Sequence, residues 1–215
     1  VNVISNCAGY MGRCIIDMKG SQFPIFTVNQ NAILNVRGVR FLNAATLADG
    51  GVVQLINPKR VIFKNCEFVG CLAANGGAVA IKGGASADIH FNDCLFTMNT
   101  ADLNGGAVAI TGGSAFFSDC KFDKNRAKSG GAISLGPMSK AFILDANFTG
   151  NSASDWGNDI FMATPMGSTI YANQWPFETV ASVFPKQADV KWYFSPPPAP
   201  PSPPSPPPGF VRKPL

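Results

Sequence analysis

Apolar and polar positions alternate along this chain in short blocks, and the blocks recur. Phe96-Thr97-Met98-Asn99 is followed by Gly105-Gly106-Ala107-Val108, and the same order returns as Phe122 to Asn125 with Gly130-Gly131-Ala132-Ile133. A worn copy joins Phe148 to Asn151 with Gly157-Asn158-Asp159-Ile160. Upstream, Phe68 leads to Gly76-Gly77-Ala78-Val79 with Cys71 in the Asn place, and Phe41 leads to Gly50-Gly51-Val52-Val53 with Ala44 there. The phenylalanines step by 27, 28, 26 and 26 residues. A fixed period of this size marks stacked units, none of which can bury its apolar face alone.

Aligned on that period, the segments before each Phe form columns. Phe63, Phe91, Phe117 and Ile143 fall together, as do Cys66, Cys94, Cys120 and Ala146. Both sets read as inward-facing, with Asn65, Asp93, Asp119 and Asp145 at a bend between them. The columns predict an all-β fold, a right-handed parallel β-helix with coils of about 26 residues, each holding three short strands and rising about 4.8 Å. Phe68, Phe96, Phe122 and Phe148 then stack as core, and Asn99, Asn125 and Asn151 form a ladder at a turn. Ala73, Ala101, Ala127 and Ala153 fall in the tight turn after the ladder. After each Gly-Gly, Val79/Ile81, Val108/Ile110 and Ile133/Leu135 are expected to point inward. Strand alternation then puts Ala78, Ala80, Ala107, Ala109, Ala132 and Ser134 outside, as a smooth face that is either solvated or covered by a loop, or else a face on which another chain docks.

The period divides the chain. Residues 1–35 read as an N-terminal cap and first coil, 36–162 as the repeats, and 163–194 as a C-terminal cap rich in large residues, among them Trp175, Trp192 and Tyr193. Residues 195–215 are a proline-rich tail; its first 14 residues, Ser195 to Pro208, have few amide donors and read as polyproline II, roughly 3.1 Å per residue. Cys7 and Cys14 bracket a six-residue loop and are a disulfide candidate, while the pairing of Cys66, Cys71, Cys94 and Cys120 stays open.

Charged residues are 14% of the chain, and the net charge of +4 is dispersed. The densest cluster, Lys121, Lys124, Arg126 and Lys128 around Asp123, reads as a solvated face, so no nucleic-acid partner is expected. No apolar run is long enough for a membrane span. The chain opens at Val1 without a charged-then-apolar leader, which reads as a processed protein or a fragment. Six cysteines and the acceptor tripeptide Asn147-Phe148-Thr149 point to a secreted, oxidising setting with Asn147 glycosylated.

The paired F-x-x-N and G-G-A-(I/L/V) motifs over residues 41–162 resemble the polymorphic outer-membrane protein repeats of chlamydiae, which implies a β-helix used in adhesion or surface display. The S-P-P-P tail resembles the hydroxyproline-rich glycoproteins of plant and green-algal walls. That likeness implies modification at Ser195, Pro196, Pro197, Pro198, Ser202 and Ser205 by hydroxylation and O-glycosylation.

Parallel β-helices include polysaccharide-cleaving enzymes, and Asp93, Asp119 and Asp145 would stack about 5 Å apart, near the separation of a catalytic carboxylate pair or a cation site. They occupy a repeating corner, however, where Asp and Asn bond the turn backbone. The aligned cysteines lie in line rather than at tetrahedral spacing, and His90 has no second His beside it. No catalytic residue, metal or cofactor is therefore expected. The leading expectation is a structural glycoprotein that self-assembles, or joins other matrix glycoproteins, through its tail and small-residue face. The alternatives are a stalked glycan-binding module using the cap aromatics and, less favoured, an enzyme working through Asp93 and Asp119.

Overall fold

In the computed structural model the described residues are 2–4, 14–19, 21–83, 88–163, 167–173, 183–184 and 190–192. They form a parallel β-helix: every strand pairing is parallel and joins a strand to its counterpart one coil away. The pairing joins Phe68 to Phe96, Phe96 to Phe122 and Phe122 to Phe148, the register that the sequence period predicts.

Each coil carries four strands rather than three. One coil runs Arg60–Lys64, Glu67–Val69, Leu72–Asn75 and Val79–Lys82, feeding an eight-, a six-, a four- and a seven-stranded sheet in turn. The extra strand contains Ala73, and its successors contain Ala101, Ala127 and Ala153, the residues expected in a tight turn. Strands of the same stack lie on both sides of residues 36–162. Asn2–Ile4, Cys14–Asp17 and Phe26–Val28 pair in parallel with the coil above them, and Thr169–Ala172, Val183–Phe184 and Val190–Trp192 continue the stack past residue 162.

Four corners make this path possible, and each uses the left-handed backbone region, which costs an ordinary residue about 1–2 kcal/mol; the one that leads back into the eight-stranded sheet does so at Asn57, Gly83, Gly112, Met138 and Gly167. The first corner is Gly38, Asn65, Asp93, Asp119 and Asp145, with φ between 51° and 67°. The second is Asn43, Gly70, Met98, Lys124 and Gly150. The left-handed residue there is thus the one before the ladder asparagine, not the asparagine itself. The third is the first glycine of each Gly-Gly pair, such as Gly76 at φ 60° and Gly105 at φ 66°; a Cβ on Gly76 would run into the Val79 carbonyl.

Inside, two aromatic columns fill the coil. Phe41, Phe68, Phe96, Phe122 and Phe148 are fully buried, and Phe96 stacks on Phe68 at 4.7 Å and on Phe122 at 4.8 Å, near-parallel. Phe63, Phe91 and Phe117 form a second stack, edge-on to the first. Beside them runs the asparagine ladder. Asn125 Oδ1 accepts from the backbone and side-chain nitrogens of Asn99, and Asn125 Nδ2 donates to Phe96 O and to Asn151 Oδ1, all at 3.0 Å.

The worn repeat is where this ladder stops. Among the described residues no further asparagine follows Asn151 in this column, and its Nδ2 donates to Oδ1 of Asp159, 2.9 Å away. Asp159 occupies the place of Ala78, Ala107 and Ala132 in the earlier repeats, and its neighbour Asn158 accepts from Ala153 N. The departures from Gly-Gly-Ala therefore supply acceptors at a coil where the ladder has run out.

Two substitutions separate core from ladder in urea denaturation. Phe96→Ala empties a fully buried position and is expected to cost about 3–5 kcal/mol. Asn125→Ala leaves Asn99 N without its acceptor and removes the amide donor from Phe96 O and Asn151 Oδ1, the latter keeping its bond from the backbone nitrogen of residue 125; at about 1–3 kcal/mol for a buried group left unpaired, it is expected to approach the cost of Phe96→Ala although it removes a much smaller apolar volume.

Candidate functional site

The small residues after Gly-Gly do not form an open face. Ala78, Ala107 and Ala132 lie in the core, together with the Val or Ile that follows each of them. Alternation fails at this point because the chain is still leaving the glycine corner and has not entered the strand. Ala80, Ala109 and Ser134 do point outward, but they are only 2%, 6% and 5% exposed. The glycine turns close over them: a Cβ at Gly76 would crowd Ala109 N, and one at Gly105 would crowd Ser134 Oγ. Small side chains are needed there because the chain's own corner packs on them.

What remains outside is a groove of about 220 Å³ with Ala80, Ala109 and Ser134 as its floor and Phe161 at one end. Its wall is a second polar ladder. Asn104 Nδ2 donates to Asn75 Oδ1 at 3.0 Å, Asn75 Nδ2 donates to Asp49 Oδ1 at 2.8 Å, and Lys82 Nζ pairs with Asp49 at 2.8 Å. Partial burial alone would raise the Asp49 pKa, but the bonds from Lys82 and Asn75 outweigh it and hold the carboxyl below its ordinary value. The signal for this ladder is present in the chain: Asp49, Asn75 and Asn104 each directly precede a Gly-Gly pair.

A second outer feature lies on the eight-stranded sheet. His90, Phe116, Phe142 and Tyr171 occupy one outward column and stack face to face, with ring centroids 4.6, 4.3 and 4.7 Å apart and planes within 11°. His90 also pairs through Nε2 with Asp88, which bonds Arg60 at 3.1 Å. Each ring spends its faces on its neighbours and turns its edge to solvent, so the column is a corrugated apolar strip rather than a set of flat platforms. Alternation within the strands sets these residues opposite the inward Phe91, Phe117 and Ile143.

The stacked carboxylates Asp93, Asp119 and Asp145 sit at the first corner, exposed and left-handed. Asp145 exchanges two 3.0 Å bonds with Asn173, its Oδ1 accepting from Nδ2 and its backbone nitrogen donating to Oδ1. Among the described residues, no three His, Cys, Asp or Glu side chains converge where a metal ion would be held. Lys121, Arg126 and Lys128 stand exposed on the outer faces of the six- and four-stranded sheets.

Cys66, Cys71, Cys94 and Cys120 are free and buried. In the Cys66–Cys94–Cys120 column each Sγ lies near a carbonyl of the previous coil, as Cys120 does with Phe91 O at 3.3 Å. The Cys66 thiol is pushed far up by its hydrogen bond with Cys94 and by burial, Cys94 chiefly by burial. Burial also pushes Cys71 up to about 12. Cys14 is disulfide-bonded; Cys7 lies outside the described residues, as do Trp175, Tyr193 and the tail sites Ser195, Pro196, Pro197, Pro198, Ser202 and Ser205. Asn147 is exposed on the last strand of the six-stranded sheet, with Thr149 Oγ1 donating to its Oδ1 at 3.2 Å. No helix among the described residues is long and apolar enough to cross a membrane. The chain matches no protein-family model, no curated protein and no solved structure.

The thiol environment sets a pH dependence. A Cys71 pKa raised above the ordinary thiol value of 9.0 means that its contribution is intact below pH 9 and lost as pH rises toward 12. The urea midpoint of the wild-type protein should fall over that interval more steeply than that of Cys71→Ala; equal slopes would show that this thiol is not protected. At neutral pH all four free thiols should react with an alkylating reagent only after unfolding.

Proposed function

We propose that the protein is a non-enzymatic, secreted structural glycoprotein that assembles into an extracellular fibre, wall layer or appendage, with its proline-rich tail as the joining element. The observation that carries this reading is the way polar groups are used. Asn99, Asn125, Asn151, Asn75 and Asn104 are all spent on neighbouring coils, and the stacked carboxylates serve a left-handed corner. Such a molecule is a rod whose interactions repeat along one axis, and a repeating rod suits load-bearing or lattice-forming work. The tail adds a stiff, extended arm. The smooth Ala face has no part in this reading, because the glycine turns cover it.

A second reading is a glycan-binding module, favoured by the groove whose polar wall is formed by Asp49, Asn75 and Asn104. It differs from the first in needing no association between copies.

Deleting residues 195–215 distinguishes them. The truncated protein is expected to keep its β-sheet circular dichroism and its melting temperature, and to lose concentration-dependent assembly measured by light scattering. Unchanged assembly after truncation would overturn the joining role. A protein that stays monomeric with or without the tail, and binds a polysaccharide through Asn104, would favour the second reading.

A further inference from the structure

We infer that the outward aromatic column His90–Phe116–Phe142–Tyr171 is the docking strip for the proline-rich tail of a second copy of this chain. The inference rests on the assembly reading above and names the surface that the tail takes.

The strip has the chemistry that polyproline recognition uses. Polyproline II is recognised by ridged aromatic surfaces, because a prolyl helix is already ordered and loses little entropy on binding. The four ring edges here run along the solenoid axis, each partly buried and stacked on the next. Donor-bearing Asn92 and Ser118 lie two residues from His90 and Phe116 in the same strands, on the same outward side. A polyproline chain presents carbonyl acceptors that make no internal hydrogen bond, so amide and hydroxyl donors beside an apolar strip match it.

The two repeats are commensurate. One polyproline II turn holds three residues and rises about 9.3 Å, within a few tenths of an ångström of two coils of about 4.8 Å each. The tail carries the same period of three: from Pro196 to Pro208, Ala199, Ser202 and Ser205 fall on one edge of the prism and leave the other two edges all proline. Every turn of such a rod meets two rungs of the strip in the same way, with the serine edge directed to solvent.

The rod is longer than its own strip and long enough to reach a second copy. The tail leaves the last strand of the eight-stranded sheet, Val190–Trp192, one strand beyond Tyr171. Folding back along its own strip would need only about 19 Å of rod to reach His90. The 14 residues from Ser195 to Pro208 extend about 43 Å. If a second copy continues the stack from Val190–Trp192 to Asn2–Ile4, its His90 lies about 19 Å away and its Tyr171 about 34 Å away. The rod spans this distance, and the portion from Pro200 to Ser205 falls on the strip. The contact is heterologous, since each copy gives a tail at one end and receives one on its side, so it propagates.

The test uses the full chain with Phe142→p-benzoylphenylalanine, irradiated in an equal mixture of unlabelled and ¹⁵N-labelled protein. The expected cross-link joins position 142 to residues 195–208, and half of the linked pairs combine a heavy with a light chain. In sedimentation velocity, Phe116→Thr/Phe142→Thr and, separately, Pro200→Gly/Pro201→Gly/Pro203→Gly/Pro204→Gly should each weaken association at least tenfold. The tail variant leaves the solenoid sequence untouched and keeps the test informative if the strip variant folds poorly. Cross-links only within single chains would overturn the inference in favour of self-docking. Association lost in the tail variant but kept in a folded strip variant would leave the joining role standing and remove the strip as its receptor. Association indifferent to both would remove both.

Discussion

Everything in this molecule depends on one constraint: a coil of about 27 residues has no interior of its own and must find its partners one coil away. The backbone does so through parallel pairing, and the side chains repeat the solution. Phe96 places its faces against Phe68 and Phe122, Asn125 bonds Asn99 and Asn151, and Cys120 lies against the Phe91 carbonyl. Once a residue type serves in one coil, the spacing between paired strands favours the same type in the next. Two surface ion pairs follow the same axis, Arg40 with Glu67 at 3.0 Å and Arg60 with Asp88 at 3.1 Å, though exposed pairs of this kind contribute only about 0–1 kcal/mol.

The corners impose the second constraint. Four changes of direction in so short a coil cannot be made with right-handed or extended backbone alone. Glycine, asparagine and aspartate take most of the left-handed places because they tolerate that region best. Met98, Lys124 and Met138 are the exceptions among the described residues, and the first two sit directly before a ladder asparagine whose backbone and side-chain nitrogens bond the next coil. The ladder holds those two residues in a conformation they would otherwise avoid. The tight glycine turn has an outer consequence too, limiting the positions beneath it to Ala80, Ala109 and Ser134.

The coil period, the Phe columns, the buried thiols and the asparagine ladder were legible in the chain because each is a vertical repeat, and a vertical repeat survives projection onto a line. The four-sided cross-section was not, because a strand such as Leu72–Asn75 is too short and too mixed to show alternation. The orientation of Ala78 was misread for a related reason: period-two reasoning holds inside a strand and fails at its mouth. The capping role of Asp159 looked like decay of the motif, since a terminus becomes visible only when the missing next asparagine is located in space. The outward aromatic column was present in plain alternation with the core, as Phe116 beside Phe117, but nothing along the line distinguishes a ring that fills a core from one that stacks outside it.

A solenoid whose interactions all run along one axis, joined by a rod commensurate with that axis, should order with its coils stacked along the direction of growth. X-ray fibre diffraction from oriented native material measures this directly. The account predicts a meridional reflection near 4.8 Å, the coil rise projected along the fibre. A 4.8 Å reflection on the equator, or isotropic scattering from dispersed monomers at assembly concentrations, would contradict it.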